Sequence, residues 1–229
     1  TARGVPRASI MNRMTVFSAL PFAAAILCLL LAFASLLRKK RFPATWCFFV
    51  GMAVLSIDSL FTGLSLRATQ VPDVLRWLTL SLVAKSFLPL AWLAFGLTYS
   101  RGDYREALAR WRIPLAIVAL LPIGLSLGFR EQLLQAVPAG QAGNVLELRF
   151  GPVAKALNIV LLVSFVLALM NLERTFRSAV GTMRWRIKYV VLGLAVIFAA
   201  HVYVRSQAIL FSAHGMAWSG VESSALLIG

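Results

Sequence analysis

The stretch TVFSALPFAAAILCLLLAFASLLRKKR, residues 15–41, decides the fold. Residues 15–37 carry no charge, and four basic residues follow in a row, Arg38, Lys39, Lys40 and Arg41. About 20 apolar residues make a helix long enough to cross the hydrocarbon core of a bilayer. In lipid every backbone N–H and C=O needs an internal partner, which a helix supplies within one segment. The run is too long for the core of a signal peptide. It therefore reads as an uncleaved first helix behind a tail, 1–14, with Met11 and Met14 both standing as candidate starts.

The pattern repeats outward from this stretch. Apolar runs are expected to span at about 15–37, 44–66, 77–99, 113–129, 152–171 and 189–211, and a seventh, 219–229, begins and stops short. The chain has 229 residues, 60% of them hydrophobic and 14% charged, with a mean hydropathy of +0.82. A water-soluble domain is nearer half apolar and a quarter charged. The fold class expected is all-α, a polytopic membrane helix bundle of seven spans with the seventh truncated. Residues 15–229 would form one membrane domain.

Basic residues set the threading. Connections after spans one, three and five carry Arg38–Arg41, then Arg101, Arg105, Arg110 and Arg112, then Arg174, Arg177, Arg184, Arg186 and Lys188. The opposite connections carry Arg67, Arg76, Arg130 and Arg149, and the tail adds Arg3, Arg7 and Arg13. Excess Lys and Arg marks the cytoplasmic side. The N-terminus is then outside and the C-terminus inside. The longest outer segment, 130–151, is an outer loop or cap, and NVLELRF within it has some strand alternation. A small hairpin and a plain loop both fit it.

Several classes are excluded. The net charge of +15 lies in clusters between apolar runs, not on one basic face with interleaved aromatics, so no nucleic-acid partner is expected. Membrane lipid is the expected surrounding. Cys28 and Cys47 lie inside apolar runs, without metal spacing. His201 and His214 have no acidic partner at ligand spacing, so no metal and no cofactor are expected. No phosphate loop, nucleophile elbow or HExxH motif is present, and no catalytic residue is assigned.

The informative residues are the polar ones inside spans, where a charge costs about 2.5–3.5 kcal/mol on insertion scales. They are Asp58, Lys85, Lys155, Arg205 and Glu222, with Asn158, His201 and Gln207 beside them. Asp58 and Lys85 fall at similar depths on consecutive spans, which predicts an ion pair. Arg205 and Glu222 share a depth on spans six and seven. His201 lies one turn from Arg205 on the same face. All eight fall in the outer half. Two functions fit: a pocket for a polar or anionic small ligand, and a structural staple between helices.

The stretch NLERTFRSAVGTMRWRIKYVVLGLAVIFAAHVYVRSQAILF, 171–211, and the segment AWLAFGLTYSRGDYR, 91–105, carry a resemblance. They resemble the seven-helix N-terminal sensor region of bacterial histidine kinases, closest to the type linked to the PEP-CTERM/exosortase system. The resemblance implies a multi-pass sensor in the bacterial inner membrane, with a cytoplasmic kinase domain downstream in the same chain. It also implies a homodimer. It supplies no ligand residues. The competing reading is a small transporter or channel, which would show a polar path through the inner half. A membrane enzyme or scaffold subunit is the third.

Overall fold

The computed structural model describes residues 7–37, 43–99, 109, 111–139, 145–178, 182–211 and 216–229. The remaining parts of the tail and of the basic connections lie outside the described residues, as do the centre of the 130–151 segment and His214.

Eight helices and one small hairpin are described. Helix α1 is Arg7–Leu36 and α2 is Pro43–Arg67. Span three is two helices, α3 (Val71–Lys85) and α4 (Leu88–Thr98). Then come α5 (Arg112–Gly128), α6 (Pro152–Ser178), α7 (Thr182–Phe211) and α8 (Met216–Ile228). The protein is an all-helical bundle, and among the described residues five spans are long and apolar enough to cross a membrane, with α5 a shorter apolar helix.

Helix α3 starts where Gln70 is extended, with Pro72 in the first turn and Asp73 complementing the positive end of the helix dipole. It stops at Lys85. Pro89 has no N–H to offer the carbonyl of Lys85, so the ladder breaks across Ser86 and Phe87. The Ser86 hydroxyl donates to the Val83 carbonyl at 2.6 Å and accepts from Ser126 of α5 at 3.1 Å, which ties the break to its neighbour. Pro114 falls in the first turn of α5, where proline is tolerated, while Pro122 lies inside that helix and is buried.

Consecutive helices pack as neighbours. The bundle closes because α8 lies against both α1 and α7. Span three occupies the middle, touching α2, α5 and α6. In its most apolar window 72% of residues are buried, against 28–44% in the other four long spans. The outward faces remain apolar, as lipid contact requires: Ile26, Leu30 and Phe33 on α1, Ile113 and Leu120 on α5, Met170 on α6. Packing against Trp92 of α4 needs a glycine at 51, because an added Cβ there would lie 2.9 Å from the indole.

The 130–151 segment, which the sequence left open between hairpin and loop, contains a two-stranded antiparallel sheet. Strand β1 (Leu134–Ala139) pairs with β2 (Val145–Phe150) in the register Leu134 to Phe150. Its base is pinned where Gly151 N–H donates to the Leu133 carbonyl at 3.0 Å. A Cβ at Gly151 would collide with the carbonyl oxygen of Gln132, so the chain can turn into α6 this tightly only with glycine.

Candidate functional site

The charges inside the spans form one chain. Lys85 Nζ lies 3.2 Å from Asp58 Oδ1 on α2 and 2.9 Å from Glu222 Oε2 on α8. Glu222 Oε1 accepts from Arg205 Nη2 on α7. Arg205 Nη1 donates to Asn158 Oδ1 on α6 at 2.8 Å, and Asn158 Nδ2 donates to the Ala154 carbonyl at 2.8 Å. One continuous path of polar contacts therefore touches α2, α3, α8, α7 and α6. All five side chains are buried, as is His201.

The local reasons are simple. On α6 the buried residues Ala154, Leu157, Asn158, Leu161 and Phe165 form the inward stripe. Lys155 is about 100° round the helix from Ala154 and is exposed, so it does not join the cluster. On α7, His201, Val204, Arg205 and Ala208 face inward. Gln207, two residues past Arg205, points largely away and is half-buried. Of the eight expected residues, the structure thus gathers Asp58, Lys85, Asn158, Arg205 and Glu222, with His201 alongside, and places Lys155 and Gln207 apart.

Two partners escaped the sequence reading. Ser81 donates to Asp58 Oδ1 at 2.5 Å and lies 3.4 Å from both Lys85 Nζ and the Thr62 hydroxyl. Ser81 is one turn before Lys85 and Thr62 one turn after Asp58, so helical spacing could have found both. His201 has its Nδ1 2.9 Å from the Ile197 carbonyl. A carbonyl only accepts, so Nδ1 carries a hydrogen. Among the described residues His201 Nε2 and Arg205 Nε are buried with no hydrogen-bond partner.

Depth also differs from expectation. Asn158, Arg205 and Glu222 lie six residues from the ends of their helices, roughly 9 Å. Asp58 is nine residues from the end of α2, about 14 Å. Lys85 is fourteen residues from the start of α3, about 21 Å, because that helix begins at Val71 and not near Trp77. The chain descends from the hairpin end toward mid-bundle.

The cluster is balanced in formal charge: two carboxylates, one ammonium and one guanidinium. Lipid offers no water to an unpaired ion, so each member is held by the others. Its pairs link five helices across the bundle. No group of three or more His, Cys, Asp or Glu that could hold a metal occurs among the described residues. Two concavities lie elsewhere: one beside α5, the other between α4, α5 and α6 with Asn171 in its wall.

A closed bundle of apolar helices, with span three at its centre and a balanced ionic chain inside, defines a multi-pass membrane protein of the seven-helix kind. The profile of a family described as the N-terminal 7TM region of histidine kinase matches residues 20–224, and the chain belongs to that family. Membership supports a membrane sensor role for the bundle. No curated protein matches the chain.

Proposed function

We propose that the bundle senses a signal at or outside the bacterial inner membrane and passes it through α8 to a cytoplasmic kinase domain in the same chain. The hairpin end faces outward and the basic end inward, which is the direction the arginine placement favours. A polar ligand, or a change in the bilayer, acts by preferring one of two helix packings; without such a difference in affinity it shifts nothing.

One observation carries the reading. Glu222 stands on the last helix, and it pairs with both Lys85 and Arg205. The helix that leads toward the kinase is therefore fastened by charge to α3 and α7. Any stimulus that weakens either contact changes how α8 sits.

The test uses the full-length kinase in lipid nanodiscs. Glu222→Gln should change basal autophosphorylation several-fold while the purified protein keeps its helicity and monodispersity. A properly assembled variant with wild-type autophosphorylation and wild-type response would remove α8 from the pathway. For orientation, a cysteine at Ala68 should react with an impermeant maleimide added to whole spheroplasts, and one at Ala109 should not. The reverse pattern would invert the topology.

A further inference from the structure

We infer that the lipid-facing side of α5 is a binding site for one anionic phospholipid, with the phosphate held at Arg112 and an acyl chain laid along the helix. A concavity beside α5 is lined by Arg112, Ile113, Ala116, Ile117, Leu120 and Leu121. Those positions repeat at four-residue steps, so they form one track on one face. Ile113, Ile117 and Leu120 are each more than half exposed and bound the track, while Ala116 leaves its floor low. Gly124 prolongs it, since an added Cβ there would meet nothing within 4 Å.

The head of the track is positive. Arg112 is exposed and puts a guanidinium at its mouth. A guanidinium binds phosphate oxygens by two parallel hydrogen bonds. Trp111, 40% exposed, stands beside this mouth, where an indole suits the headgroup level. A positive head on an apolar track matches an anionic lipid.

The site stands apart from the sensor reading and can be tested without kinase output. The protein, purified in mild detergent, is equilibrated with equal amounts of phosphatidylglycerol and phosphatidylcholine of the same acyl chains and examined by native mass spectrometry. Wild type should retain phosphatidylglycerol in preference by about fivefold, the contribution expected of one basic residue at an anionic surface. Arg112→Gln should lose that preference. Ala116→Trp, which fills the track without touching charge, should lose the retained lipid. Leu30→Trp, on the exposed face of α1, should change neither. Unaltered phosphatidylglycerol retention in Arg112→Gln and Ala116→Trp would overturn the assignment. So would loss of a dimer in Ala116→Trp with lipid retention intact, because the face would then belong to a second copy.

Discussion

The two halves of this bundle are held together by different physics. Toward the hairpin end the helices are joined by the charges of Asp58, Lys85, Glu222 and Arg205. Toward the basic end they are joined by rings. Trp92 meets Phe48 at 6.0 Å, Phe95 at 6.0 Å and Phe198 at 5.4 Å, and Phe95 meets Tyr99 at 4.7 Å. Asn171 and Thr175 of α6 close on Gly96 of α4, with the Thr175 hydroxyl 3.3 Å from its carbonyl. Lipid tails are as apolar as leucine, so greasiness alone does not bring helices together inside a membrane. Close packing and polar contacts do, and here the buried charges and the Trp92 ring cluster lie in different halves. They meet at His201, whose ring lies 4.8 Å from Phe165, itself 5.9 Å from Phe198.

That contrast can be broken from either side. Glu222→Ala should have the largest effect, roughly 3–5 kcal/mol of lost stability, because it strips Arg205 of its carboxylate and leaves a buried cation. Reversible unfolding of the detergent-solubilised protein would measure it; a loss below about 1 kcal/mol would mean that water already reaches the cluster. Trp92→Ala should cost about 3 kcal/mol by emptying the ring cluster. The two losses should add in the double variant if the halves are independent, and a clear shortfall would show coupling through His201. Asp58→Asn should cost less, about 1–3 kcal/mol, since Lys85 keeps Glu222. Glu173→Gln should leave stability unchanged: its pair with Arg177, at 2.7 Å, is one turn long and exposed to solvent.

The helices were legible because hydrocarbon imposes length and apolarity at once, and few soluble sequences mimic that. The Asp58–Lys85 pair was legible for a related reason, since neighbours in sequence at similar depth have few other partners. The Lys85–Glu222 contact was not. It exists because α8 returns to close the ring, and nothing in 219–229 announces which helix it will meet. Lys155 misled because charge and depth were read without angle: one residue past Ala154 turns the side chain out of the inward stripe. The two-helix nature of span three was only half visible. A proline at 89 is compatible with a break in the helix, but the tie from Ser126 to Ser86 depends on where α5 packs.

The break at Ser86 and Phe87 also bears on how the protein is made. A spanning segment with an interrupted ladder carries a carbonyl, that of Lys85, which Pro89 cannot satisfy. Bare lipid cannot shelter such a group. The segment reaches the translocon before α5 and α6 have been synthesised, yet those are the helices that later cover it. Span three is therefore expected to finish packing only after its downstream neighbours arrive, although α2 already lies against it.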